Sequence, residues 1–284
     1  MIKPGTIQTW TVEQENRDTF KLIQQDKSLD LPFRDVTRPL NVGEEVEVFI
    51  YTNKEGKPLA TMNLPEVTMD NYGWASVVNI VPSLGVFVDI GLPKDLLVPK
   101  DDLPYLREVW PQVDDSLYIS LTQDKQGRLF ARLATEDVIM DQSSYAPNNL
   151  KNESITGYVY RAGKVGSFIW TMDKYRAFLH DSERGREPRV GEKVEARVID
   201  VKEDGTINVS FRPNKMESMD KDSHAILLKL SRNQGEIPFS DKSDPEDIEE
   251  AFHISKAAFK RAVGRLMKQD LVEQTKDGTI KMKN

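Results

Sequence analysis

Over the first three quarters of the chain, apolar and β-branched residues alternate with polar ones in short runs, and glycine turns separate the runs. This period of two predicts strands with one buried face. The pattern recurs. Gly43-Glu44-Glu45-Val46-Glu47-Val48 resembles Gly191-Glu192-Lys193-Val194-Glu195-Ala196, and Val113-Asp114-Asp115-Ser116-Leu117-Tyr118 is a degraded copy. Each stretch leads through an apolar strand pattern to a glycine turn: Lys54-Glu55-Gly56-Lys57, Lys125-Gln126-Gly127-Arg128 and Glu203-Asp204-Gly205-Thr206. The turn glycines are 71 and 78 residues apart, and the acidic starts 70 and 78. Two landmarks that drift together predict three true repeats.

In the third copy, Ile155–Tyr160, Phe168–Thr171, Arg176–His180, Val194–Val201 and Thr206–Ser210 are the predicted strands. Five short strands ending in a hairpin suit a small closed barrel, because closure removes exposed sheet edges. The last part of the chain changes character. Asp222–Leu230, Pro245–Phe252 and Ser255 through Gln269 carry helical patterns, with Ser255 as the N-cap of the last. Leu271–Thr275 and Thr279–Met282 then flank an Asp277-Gly278 turn and predict a hairpin. Three helices followed by a hairpin is the winged-helix order. The expected domains are residues 1–65, 66–147, 148–213 and 214–284. A polar linker at Asn148–Asn152 joins the second and third, and Pro213-Asn214 closes the third.

The third repeat resembles an S1 RNA-binding domain, a variant of the OB-fold. The resemblance rests on Gly157-Tyr158-Val159, Gly166-Ser167-Phe168-Ile169, Phe178-Leu179-His180-Asp181-Ser182, Val190-Gly191-Glu192-Lys193-Val194 and Asn208-Val209-Ser210-Phe211, in the family's order and spacing. The second repeat keeps Gly85-Val86-Phe87-Val88 but has Pro99 where the family has histidine. The first keeps Gly5-Thr6-Ile7 and the Gly43 element and lacks the aromatic-glycine strand. The expected fold is therefore mainly β with a C-terminal α/β module: three tandem S1-like five-stranded OB barrels, then a winged helix. As a whole the chain resembles the conserved virulence factor B family of Gram-positive bacteria. That resemblance implies RNA binding, post-transcriptional regulation of gene expression including virulence genes, and no catalysis.

Composition adds two limits. There is no cysteine, which excludes disulfides, thiolate metal sites and cysteine nucleophiles and fits a reducing compartment. No run of 18 apolar residues is present and the start has no apolar signal core, so a cytoplasmic chain without membrane contact is expected. Taken as a whole, the net charge of -7 opposes a polyanionic partner. Counted locally, residues 66–150 hold 13 acidic and 6 basic side chains, whereas 151–213 hold 10 and 12. Residues 251–284 hold 3 and 8. The third repeat and the final segment are thus the expected polyanion surface.

Within the last helix, Lys256, Lys260, Arg261, Arg265 and Lys268 fall on one side and Ala258, Phe259, Ala262, Val263 and Leu266 on the other. The cations are candidate phosphate contacts at the recognition-helix position, with little equipment for reading base edges. In the third repeat, Phe168 and Trp170 share one strand face, and Tyr158 and Tyr160 another. Such aromatics either stack single-stranded bases or fill the barrel core. By resemblance, Phe168 faces RNA and His180 contacts a phosphate or stacks. Arg161, Lys164, Lys174, Arg176 and Arg197 are candidate phosphate contacts. The three histidines have no metal-ligand spacing, and no phosphate-loop or dinucleotide fingerprint occurs. The expectation is a non-enzymatic monomer without cofactor or metal that binds single-stranded RNA with low sequence specificity. The alternatives are a winged-helix DNA-binding regulator and a scaffold associated with a ribosome or ribonuclease.

Overall fold

The computed structural model of the chain describes residues 2–53, 55–212, 215–275 and 277–283, the side chains of 215–220 excepted. Pro213 and Asn214, expected to close the third repeat, lie outside the described residues. Two compact units result, Met1–Phe211 and Arg212–Asn284.

Alternation becomes strands at three successive places in the first unit. The first repeat comprises β1 (Ile7–Glu15), β2 (Thr19–Gln24), β3 (Lys27–Pro32), β4 (Glu45–Thr52) and β5 (Pro58–Thr61). The second comprises β6 (Gly73–Val81), β7 (Gly85–Asp89), β8 (Leu96–Pro99), β9 (Ser116–Gln123) and β10 (Leu129–Leu133). After a short helix α1 (Glu136–Asp141), the third comprises β11 (Ser154–Ala162), β12 (Gly166–Thr171), β13 (Arg176–His180), β14 (Lys193–Val201) and β15 (Ile207–Ser210). The first and third close as β1-β2-β3-β5-β4 and β11-β12-β13-β15-β14. The second has the same cyclic order opened at one seam, β10-β9-β6-β7-β8. There β8 and β10 lie side by side without a hydrogen-bonded ladder.

The repeats agree in backbone detail. The opening strand of each slips register after one valine: Val12 in β1, Val77 in β6 and Val159 in β11. The N–H groups of Gly43, Asp114 and Gly191 donate to the carbonyls of those same valines, at 2.8, 2.9 and 2.7 Å. All three donors have positive φ: +87°, +74° and +84°. Next in sequence, the carboxylates of Glu44, Asp115 and Glu192 accept from the N–H groups of Asn41, Gln112 and Arg189. The degraded copy therefore keeps the turn, with aspartate in a left-handed conformation that short polar residues tolerate better than most.

Packing joins the repeats. The first and third have their own cores, built on Trp10, Leu22, Leu31 and Ile50 and on Ile169, Leu179, Val198 and Ile207. The core of the second takes in Phe49, Tyr51 and Leu59 of the first and Val190 of the third. The expected polar linker is a short 3-10 turn at Asn148–Leu150, and α1 ahead of it was not predicted.

In the second unit, α2 (Lys215–Arg232), α3 (Pro245–Phe252) and α4 (Lys256–Lys268) precede β17 (Val272–Gln274) and β18 (Ile280–Met282). Ser255 caps α4, its hydroxyl accepting from the Ala258 N–H at 3.3 Å. Phe259, Ala262, Val263 and Leu266 are buried with Ile226, Leu230, Ile248 and Phe252, so the apolar side of α4 does face the other helices. A short unpredicted strand, β16 (Glu236–Ile237), completes the sheet β16-β18-β17. Among the described residues no helix is long and apolar enough to cross a membrane.

The equivalent turns have different surroundings. A Cβ at Gly191 would lie 2.9 Å from Leu117 Cδ2 and 3.1 Å from the Ser116 carbonyl, whereas one at Gly43 would meet nothing within 4 Å. Gly43→Ala should cost only the left-handed strain, about 1–2 kcal/mol. Gly191→Ala should cost clearly more, because the second repeat must give way. Denaturant unfolding of the two variants checks this, and equal losses would contradict it.

Candidate nucleic-acid interface

The outer face of β11, β12 and β13 divides into two halves. On the free half, Phe168 in β12 stands opposite Phe178 in β13 and opposite Arg161 just past the slip in β11. The Arg161 guanidinium lies over the Phe168 ring, 3.9 Å from its centre. The Phe168 and Phe178 rings are 5.0 Å apart, and His180 meets Phe178 edge-on at 6.1 Å. Both phenylalanines are half-buried, while Lys164, Val165, His180 and Lys202 around them are exposed. Phe168, Phe178, Lys202, Asp204 and Thr206 line an open cavity of about 310 Å³, and Arg176 lines it too. Aromatic faces ringed by cations are the equipment that a sequence-tolerant single-strand site needs. His180 Nδ1 accepts from the Ser182 N–H at 3.2 Å and lies 2.9 Å from an Asp181 carboxylate oxygen.

On the other half, the aromatic side chains are used internally. Trp170 is 3% exposed, and its indole N–H donates to Ser143 Oγ at 3.1 Å. It packs on Tyr118 and Trp74 of the second repeat, with ring centres 4.9 and 6.0 Å away. Tyr158 lies 4.5 Å from Trp74. The expectation that Trp170 continues the stacking face of Phe168 is therefore corrected: both share the strand face, but the second repeat covers that end of it. Tyr158 likewise belongs to the joint. The Tyr160 hydroxyl donates to Glu136 of α1 at 3.0 Å, and Arg176 pairs with the same carboxylate at 2.5 Å. Arg161 reaches Glu136 at 3.5 Å as well as covering Phe168. Arg176 is thus a structural ion pair rather than a free phosphate contact. Burial, seconded by the Glu136 charge, pushes the Tyr160 hydroxyl up to about 12.

Lys164 stands exposed in the turn between β11 and β12. Lys174 is exposed in the turn before β13, away from Phe168 and beside Trp170. Arg197 is on β14, opposite Ser154 and Ser210 and two strands from β12. In α4, Lys260, Arg261 and Lys268 are exposed, and Lys256 and Arg265 half-buried. Phe178 and Lys202 were not predicted as site residues. The alternation that paired Phe168 with Trp170 also puts Phe178 on the face of His180, so a sequence signal for it existed. Glu136 had none, because its role arises only when α1 lies across the third barrel.

The position of Phe168 is held by Phe87 in the second repeat, opposite Asn79, and by Lys21 in the first, opposite Gln14. Lys21 is ion-paired to Glu13 at 2.6 Å. Among the described residues, only the third repeat has an aromatic with an overlying cation at this position; in the second, Arg128 instead lies over Phe130 on β10, 5.9 Å from its centre.

Fold and face together define a protein assembled from S1-like barrels and a winged helix, two classes of nucleic-acid-binding module. Residues 4–63 match the S1 domain family, 72–132 the family described as "CvfB first S1-like domain", 139–213 "Virulence regulatory factor CvfB, second domain" and 224–280 "CvfB-like winged helix domain". The chain is 40% identical over 267 residues to Conserved virulence factor B of Staphylococcus epidermidis, covering 93% of this chain and 86% of that one. It is 43% identical over 282 residues to the uncharacterized protein YitL of Bacillus subtilis, covering 99% and 95%. A crystal structure from Streptococcus pneumoniae, described as a multidomain protein with nucleic acid binding domains, is 35% identical and superposes with a TM-score of 0.69 over 99% of this chain and 98% of that one. The chain belongs to the conserved virulence factor B family.

Two outcomes follow from the Glu136 contacts. Glu136→Ala strands Tyr160, Arg161 and Arg176 and should destabilise the first unit by about 1.5–3 kcal/mol in chemical unfolding. Neutral Tyr160 contributes stability that is complete below the ordinary tyrosine range near 10 and lost as pH rises to about 12. Tyr160→Phe should flatten that part of the pH–stability curve.

Proposed function

We propose that this protein binds single-stranded RNA with low sequence specificity and acts, without catalysis, in post-transcriptional regulation in the cytoplasm, including control of virulence genes. The observation that carries the reading is the Phe168 ring, held between the Arg161 guanidinium at 3.9 Å and the Phe178 ring at 5.0 Å on a partly open face. A base stacks on such a platform with about 1–3 kcal/mol, whatever its identity. Lys164, Lys202 and His180 surround the platform and supply phosphate contacts. In the second unit, α4 supports the reading with Lys260, Arg261 and Lys268 exposed on one side. These cations suit backbone contact, and the helix has no Asn or Gln before Gln269 for bidentate reading of adenine. Membership in the conserved virulence factor B family supports the regulatory role.

The test is fluorescence anisotropy with oligouridylate and with duplex DNA at two salt concentrations. The combined variant Phe168→Ala/Phe178→Ala should weaken oligouridylate binding about tenfold or more while the protein stays folded. The combined variant Lys260→Ala/Arg261→Ala/Lys268→Ala should flatten the salt dependence. Tighter binding of duplex DNA than of oligouridylate would replace this reading with that of a DNA-binding regulator.

A further inference from the structure

A cavity of about 450 Å³ opens between the second and third repeats, next to the Phe168 face. The two are continuous: Arg161 and Tyr160 line the cavity, and both also contact Phe168, at 3.9 and 6.1 Å. The opposite wall comes from the second repeat and carries Arg132, at the end of β10. Arg132 is exposed, and among the described residues its guanidinium has neither a hydrogen bond nor an ion pair. Its repeat holds 13 acidic side chains against 6 basic ones over residues 66–150, so a free cation facing this cleft runs against the local composition.

Two carboxylates also line the cavity, Asp102 and Glu136. Glu136 is neutralised in place, because Tyr160, Arg161 and Arg176 all converge on it. Asp102 is exposed, where water screens it. What remains is the unpaired Arg132 guanidinium on one wall and, on the other, Arg161, which Glu136 and the Phe168 ring share and which links the cleft to the base-stacking platform. Guanidinium binds phosphate in a planar, two-pronged manner that an ammonium cannot match. A path with stacking at one end and spaced guanidinium groups beyond it fits a phosphodiester backbone.

We propose that the cleft between the second and third repeats carries the phosphodiester backbone of single-stranded RNA onward from Phe168, past Arg161 to Arg132. The acidic repeat thereby contributes to the site. This rests on the RNA reading above and extends it by naming the direction of the strand.

The experiment uses the full-length protein and labelled oligouridylates of 4 and 12 nucleotides, titrated over a salt series. Arg132→Ala is expected to weaken binding of the 12-mer roughly three- to tenfold and to leave the 4-mer nearly unchanged. The slope of log affinity against log salt should become shallower by about 0.7, the value for one lost phosphate contact on a single strand. Arg128→Ala is the control, since Arg128 belongs to the same repeat but pairs with Asp124 at 2.6 Å; it should bind as the unaltered protein does. If Phe168→Ala weakens binding while Arg132→Ala does not, the cleft path is wrong and the RNA reading stands. Equal losses for both oligonucleotides, or an equal loss in Arg128→Ala, would also overturn the path. If the unaltered protein fails to bind either oligonucleotide, the RNA reading itself falls.

Discussion

The third barrel has one outer sheet face with two claims on it, and the packing of Trp74 and Tyr118 against Tyr158 and Trp170 divides that face. Trp170 is buried there and Tyr118 and Tyr158 half-buried, while Trp74 stays 39% exposed, and favourable ring geometry adds about 0.5–1.5 kcal/mol per pair. A buried indole N–H also needs an acceptor, which Ser143 provides to Trp170. Once that end of the face is docked, α1 lies so that Glu136 meets Tyr160 and Arg176. The end bearing Phe168, Phe178 and His180 is left open. The position of the candidate nucleic-acid face within the unit is thus a consequence of how the second repeat docks.

The same joint changes the meaning of the charge count. Separated by sequence, the second repeat is strongly acidic and the third mildly basic. In the folded unit part of that difference is complementary. Arg189 of the third repeat binds Asp115 of the second in a two-pronged contact at 2.7 and 3.0 Å. Arg161 and Arg176 meet Glu136. Arg189 and Arg176 are therefore not available as a free positive surface, Arg161 is shared between Glu136 and the Phe168 ring, and the acids opposite them are not a free negative one. What remains exposed around the Phe168 face of the third repeat is a smaller set of cations, mainly Lys164 and Lys202 beside Arg161.

Much of the fold was legible because local signals and tertiary roles coincide. The strands of the third repeat lie within a residue or two of their predicted bounds, since alternation such as Val194, Ala196, Val198 is both the sequence pattern and the buried face. Ser255 was legible as a cap because its role is settled within three residues. The joint was not. Trp170 and Phe168 are equivalent in period, strand and chemistry, and they differ only because Trp74 and Tyr118 of the second repeat, far earlier in the chain, lie over Trp170. Short elements held by one ladder, such as β16, were missed for the same reason: Glu236 and Ile237 are strand residues only because β18 lies beside them.

The three repeats finally separate what the barrel requires from what the site requires. The valine slip, the positive-φ turn and the carboxylate after it recur in all three, even where aspartate must replace glycine at the turn. The outward position on the second strand is free of that constraint, and it holds Lys21, Phe87 and Phe168. In the first repeat the lysine is bound to its own strand neighbour Glu13. In the second, Phe87 faces Asn79 and Leu97, which carry no charge to hold a phosphate. Only beside Phe168 do a cation, a second aromatic ring and an exposed histidine come together. The backbone is repeated and the chemistry is not, so the difference between repeats, rather than their similarity, is what makes the third the candidate nucleic-acid face.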